Sequence, residues 1–263
     1  MNAGRIPTGW VEATGDWAVG ILDDLGRFAR LVLRTFAVIG RRNFPLRECV
    51  RQFESIIVRS STIVLITALF TGMVLALQTA TSLARFGAKP YTGSFVGLAF
   101  VLELGPVLTA LVVAGRVGAG ITAEIGSMTV SEQIDAIRAL GADPVQKLVL
   151  PRMLAATVGL PMLTMFANLM GIGGGLLIAS QLGIGANFYY QSIIGVVQLD
   201  DLLSGLIKTI VFGWTIAMVA CFQALQTTGG TVGVGRSTTR TVVVSSIAVL
   251  VSDFFLTKVI LLF

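Results

Sequence analysis

Three long stretches of this chain contain no charge at all: Arg59 to Arg85 encloses none, Arg152 to Asp200 none, and Lys208 to Arg236 none. About 20 apolar residues, rising 1.5 Å each, cross a hydrocarbon layer of about 30 Å. Stretches of this length have one natural home. Composition agrees: 13% of the 263 residues are charged and 54% hydrophobic, where soluble domains carry roughly 25% charged residues. The expected class is an all-α polytopic membrane protein.

Several functions fall away early. The chain has no histidine, which excludes His-based metal sites and His general-base triads. Its two cysteines, Cys49 and Cys221, lie in a basic amphipathic stretch and an apolar span, so no disulfide framework is expected. The net charge is +5, and nine of the 19 Lys and Arg residues lie at or before Arg59. That placement suits attraction to anionic lipid heads, so no nucleic-acid partner is expected. Residues 1–16 are polar and Gly-rich, without the apolar core of a signal peptide.

Residues 17–42 follow a helical period, with Trp17, Ile21, Leu25, Phe28, Val32, Phe36 and Ile39 on one stripe and Arg27, Arg30 and Arg34 on other faces. Charge interrupts the stripe too often for it to span. It reads as an interfacial amphipathic helix, and Pro45 closes it. Residues 1–44 are therefore set apart as a cytoplasmic, interfacial segment from residues 45–263.

Five transmembrane helices are expected, near 56–84, 95–122, 152–180, 202–225 and 241–262, with a short interfacial helix around Asn187–Gln191. A cytoplasmic N-terminus gathers the early arginines with Arg138, Lys147, Arg152, Arg236 and Arg240 on one side, leaving Arg85 and Lys89 on the other. This bias predicts the N-terminus inside and the C-terminus outside. Small residues recur every four positions in the second span (Ala110, Ala114, Gly118, Thr122) and the third (Ala167, Gly171, Gly175, Ala179), which predicts close helix crossings. No Lys-Ser/Thr follows the Gly171–Gly175 run, so it is not a phosphate loop.

Ionisable groups inside a span cost roughly 2.5–3.5 kcal/mol each on insertion scales. Glu103, Lys208 and Asp253 are such groups, at comparable depth in the second, fourth and fifth spans. Two arrangements fit. Either Lys208 and Asp253 pair to tie the last two helices, or a carboxylate, Glu103 before all, faces a wet cavity and meets a polar head group. Gly105-Pro106 follows Glu103 and loosens the helix ladder there.

Between the second and third spans, residues 131–141 form a short amphipathic unit, with Ser131 expected to cap its start and Gly141 to end it. Ile134, Ile137 and Leu140 share one side, and Asp143-Pro144 starts the next helix. A short helix held rigidly between two spans is suited to receive a push from a soluble partner.

The blocks Glu103-Leu104-Gly105-Pro106-Val107-Leu108-Thr109-Ala110, Ala114 to Gly126, Glu132-Gln133, Gly141-Ala142-Asp143-Pro144 and Arg236 to Val243 resemble the MlaE/YrbE family, permease subunits of MCE-type ABC lipid transporters. The likeness covers about residues 45–263. It implies a homodimer in a bacterial inner membrane, moving glycerophospholipid to or from a periplasmic MCE-domain protein (MlaD-like) and so maintaining outer-membrane asymmetry. It also implies a cytoplasmic ATPase (MlaF-like) and a small STAS-domain protein (MlaB-like). Any ATP and magnesium would sit in that ATPase, with no cofactor, metal or catalytic residue in this chain. Carried over by position, the resemblance points to Leu75, Leu83, Phe86, Leu102, Glu103 and Leu104 as lipid-contacting residues. It makes the segment with Glu132, Gln133, Asp135 and Arg138 a coupling helix. Some relatives carry arginine before the glutamate, where this chain has Leu102; another cation or solvent must then meet the head group. The alternative reading is an ATP-independent lipid scramblase or a scaffold.

Overall fold

Long apolar runs fold as helices because each backbone N–H and C=O must find a partner within its own segment when no water is at hand. In the computed structural model, which describes residues 9–39, 45–260 and 262, every regular element is helical. Contacts divide the chain into two units, residues 1–44 and 45–263.

In the first unit, α1 runs continuously over Gly9–Ile39. Arg27 pairs with Asp23 (2.8 Å) and Asp24 (3.3 Å), one helical turn back. Leu25 and Phe36 of the predicted stripe are exposed, as are Leu22 and Leu33. The side chains of Trp17 and Ile21, and residues 40–44, lie outside the described residues.

The second unit holds five helical segments long and apolar enough to cross a membrane: Leu46–Ala84, Lys89–Val130, Val145–Gln181, Leu199–Leu225 and Gly230–Ile260. The first is α2. The second begins with a 3-10 turn and continues as α3 (Thr92–Ala99), α4 (Gly105–Val113) and α5 (Ala119–Val130), joined by π-helical turns at Phe100–Leu104 and Ala114–Gly118. The short α6 (Gln133–Ala139) precedes a third π turn at Val145–Val149 and then α7 (Leu150–Gln181). The interfacial α8 (Ala186–Ile194) surrounds the predicted aromatic patch, and α9 (Leu199–Leu225) and α10 (Gly230–Ile260) complete the bundle.

Helix α7 is central, packed by α2 on one side and α9 on another, while α10 lies against α9 and α5. The α2–α7 crossing brings backbone against backbone. A Cβ on Gly72 would collide with the Gly171 carbonyl, and one on Gly171 with the Phe100 ring. The glycine run in α7 is thus a helix-crossing surface. Both predicted small-residue stripes are buried, and Thr122 ties three helices by its hydroxyl: to Ala220 O (3.1 Å) in α9 and to Thr241 Oγ1 (2.8 Å) in α10. Tyr189 of α8 is fully buried, its hydroxyl donating to Ile172 O (3.3 Å). Burial pushes its phenol above the ordinary tyrosine range, so it stays a neutral donor.

Two expectations need correction. Ser131 does not cap α6: its hydroxyl bonds back to Ser127 O (2.8 Å), ending α5, and Glu132 precedes α6 with φ 60. Only Ser131 and Glu132 separate α5 from α6, so one left-handed residue makes the corner. The fifth span starts earlier than 241, at Gly230, so Arg236 and Arg240 sit in helical turns rather than in a loop; residue 261 lies outside the described residues. As predicted, Asp143 Oδ1 accepts from the Val145 N–H (3.0 Å) and opens the next helix, and Gly141 ends α6 with φ +76.

Candidate functional site: a charged cluster at membrane depth

Pro106 has no N–H to give to the carbonyl four residues earlier, which is that of Leu102. The ladder there widens instead to a π turn, with the Gly105 N–H bonded to Phe100 O. The released Leu102 carbonyl does not stay orphaned, because Lys208 of α9 donates to it at 3.1 Å. Approach of α9 is what makes this contact possible. A Cβ on Gly205, one turn before Lys208, would collide with the Val101 carbonyl.

The same ammonium collects two carboxylates. Lys208 Nζ lies 2.7 Å from Glu103 Oε1 and 3.4 Å from Asp253 Oδ1 of α10. Thr257, one turn beyond Asp253, donates from Oγ1 to Glu103 Oε1 at 3.1 Å. Two of the ammonium's donors make hydrogen bonds, to Leu102 O and Glu103 Oε1, while Asp253 is held at ion-pair distance without one. The two arrangements left open by the sequence are therefore parts of one cluster. Exposure is uneven within it: the side chain of Lys208 is 3% exposed, that of Asp253 18% and that of Glu103 41%. The cation is sealed inside while one carboxylate looks out. Charge buried in this manner is tolerable only because it is paired and hydrogen-bonded.

Of the lipid-contacting candidates, Leu102, Glu103 and Leu104 share the π turn and are half-buried. Leu104 lines a narrow apolar crevice with Val64, Thr67 and Ala68 of α2 and Leu108 and Val112 of α4. Leu75 and Leu83 are half-buried on α2, and Phe86, beyond the end of that helix, is 82% exposed. In the coupling-helix candidate, Glu132, Gln133, Asp135 and Arg138 are all exposed, with Arg138 donating to Asp135 Oδ1 at 2.8 Å. Ile134 is buried and anchors α6, whereas Leu140 is 85% exposed rather than sharing its burial. Thr257 and the Leu102 carbonyl were not anticipated. The carbonyl had a signal in the sequence, since it stands four residues before Pro106.

A second buried cation lies toward the other end of the second span. Arg152 of α7, 4% exposed, pairs with Glu124 of α5 at 2.8 Å and donates to Leu148 O at 2.8 Å. Glu124 is more than half exposed, and lies about 31 Å from Glu103 along the helix axis, taking 1.5 Å per residue.

Five spans, backbone contacts built from glycine, and a charged cluster at span depth define a multi-pass helical membrane protein. The chain belongs to the MlaE permease family, whose profile matches residues 49–259. It is 44% identical over 211 residues, 80% of each chain, to a probable ABC transporter permease protein of Synechocystis. A probable ABC transporter permease protein of Rickettsia typhi is 38% identical, over 93% of this chain and 95% of its own. The intermembrane phospholipid transport system permease protein MlaE of Haemophilus influenzae is 34% identical, over 95% of this chain and 97% of its own.

Proposed function

We propose that this chain is the membrane subunit of an ABC transporter that moves glycerophospholipid between a bacterial inner membrane and a periplasmic MCE-domain protein (MlaD-like), so maintaining outer-membrane lipid asymmetry. The observation that carries this reading is the half-exposed Glu103, held by the buried Lys208 at span depth beside the Leu104 crevice. Acyl chains take the apolar surface, including Leu75, Leu83, Phe86, Leu102 and Leu104, and the outward carboxylate with local water meets the polar end.

The chain works as a homodimer with its N-terminus in the cytoplasm and its C-terminus in the periplasm. Support for a second copy comes from uneven burial: the apolar windows of α2 and α10 are 28% and 11% buried, against 61% for α9. Cβ atoms on Gly115 and Gly120 would meet open space, leaving close-approach surface unused within the chain. The chain carries no Gly-x-x-x-x-Gly-Lys-Ser/Thr. ATP hydrolysis therefore belongs to an MlaF-like partner, joined by an MlaB-like STAS-domain protein. That ATPase docks on α6 at Glu132, Gln133, Asp135 and Arg138, pulls the two copies together and squeezes the seam. Reconstitution of the chain with its ATPase and MCE partners tests this. ATP-dependent lipid transfer is expected, lost in Glu132→Ala/Arg138→Ala with the dimer intact. Normal transfer in that double variant, or transfer by the chain alone without ATP, refutes the reading.

A further inference from the structure

The end of the bundle that carries Arg152 is hollow. A cavity of about 650 Å³ is walled by Glu48, Arg51, Gln52, Ser55 and Arg59 of α2, Glu124 of α5, and Lys147 and Arg152 beside them. A second cavity of about 330 Å³ shares the Gln52, Ser55, Arg59 and Glu124 wall and continues inward to Ser60 and Arg116. The combined size is that of a small-molecule site.

Charge in this vestibule is arranged in depth. Arg51 and Arg59 are eight residues apart on one face of α2, about 12 Å along its axis. Arg116 reaches the next residue, donating to Ser60 Oγ at 3.2 Å. Lys147 and Arg152 stand on the opposite wall. Five cations thus face three carboxylates (Glu48, Glu54 and Glu124). Among the described residues, the single ion pair between these groups is Arg152 with Glu124. Arg51, Arg59, Arg116 and Lys147 have no carboxylate within ion-pair distance there. Arg152 itself is built in: it is 4% exposed, and its Nε–H is buried without an acceptor. A guanidinium held that deep with a donor to spare is poised for an acceptor that the protein does not supply.

Depth identifies the acceptor. Arg59 is the last charge before the charge-free run to Arg85, so the vestibule lies where the hydrocarbon layer begins, at the level of lipid phosphates. Arginine forks match phosphate oxygens in pairs. We propose that this vestibule binds the phosphate of an acidic glycerophospholipid headgroup from the leaflet at its own end of the bundle, a second lipid site about 31 Å along the helix from Glu103. The choice of a lipid as the phosphate's source rests on the permease reading; recognition of phosphate rests on the cavity alone.

Native mass spectrometry of the purified full-length chain tests it, with dihexanoyl-phosphatidylglycerol, dihexanoyl-phosphatidylcholine and inorganic phosphate as probes. The phosphatidylglycerol is expected to bind more tightly than the phosphatidylcholine, and more weakly as salt rises. Arg59→Gln/Lys147→Gln should weaken it roughly tenfold or more, since hydrogen bonds to charged groups are the strong ones. Arg59→Lys/Lys147→Arg, which keeps both charges, should retain most binding and controls for folding. Lys258→Gln, which removes an exposed cation next to Thr257 at the Glu103 end, should bind as the unaltered chain does; the readout needs neither ATPase nor transfer, so failure of the transport reading leaves it untouched. Undiminished binding in the Gln double variant overturns the site. Inorganic phosphate binding as tightly as the lipid overturns the lipid as its source.

Discussion

Both ends of this bundle bury a cation and leave its carboxylate partner at the wall, yet they finish the job differently. At the Glu103 end, Lys208 donates to Leu102 O and Glu103 and forms an ion pair with Asp253, and Thr257 completes Glu103. At the Arg152 end, one carboxylate and one carbonyl are met, a donor is left over, and unpaired cations surround a hollow. The difference is one of closure. A lysine ammonium is compact and its charge is met by the oxygens packed around it, whereas a guanidinium has five N–H groups on a rigid fork and is harder to satisfy from within. The first end is a latch joining three spans, and the second is a receptor with room to spare.

The comparison breaks most visibly at the latch. Lys208→Met should leave Glu103 and Asp253 facing each other without a counter-ion, costing about 3–5 kcal/mol; thermal unfolding of the detergent-purified chain measures it. Adding Glu103→Gln and Asp253→Asn to that variant should recover much of the loss, and no recovery would show that the cluster is not held by charge. Next comes Gly205→Val, whose side chain must push α9 off the Val101 carbonyl and draw Lys208 from Leu102, at about 1–3 kcal/mol for overpacking. A crystal or cryo-microscopy structure with Lys208 unmoved would contradict it. Thr257→Val removes one hydrogen bond to a charged acceptor and should cost about 1.5–3 kcal/mol, at the lower end because Glu103 is partly solvated. Smallest of all, Asp135→Asn on α6 breaks an exposed pair and should change stability by about 0.3–0.5 kcal/mol. The same variant should nevertheless lower ATP-dependent transfer, and unchanged transfer would remove Asp135 from the coupling surface.

Much of the architecture was legible because burial in lipid leaves few choices. Charge-free runs had to become spans, and the four-residue spacing of Ala167, Gly171, Gly175 and Ala179 had to face another helix. Helix ends were harder. Ser131 looked like a cap, and only the left-handed backbone at Glu132 shows how α5 turns into α6. Arg236 and Arg240 looked like loop charges because hydropathy marks where lipid begins, not where a helix does. The charged cluster was half legible: three ionisable residues at one depth announced a cluster, but not which of them would meet.

Composition and period alone determined that this chain is a helical bundle crossing a membrane, since hydrocarbon penalises every unpaired backbone group and every stray charge along the way. Tertiary structure decided partners. Lys208 reaches Glu103, Asp253 and Leu102 from a different helix than each of them, through a gap left by Gly205 and a carbonyl released by Pro106. No linear pattern encodes a distance between helices that touch only after folding, so the latch and the hollow at the far end appear only in three dimensions.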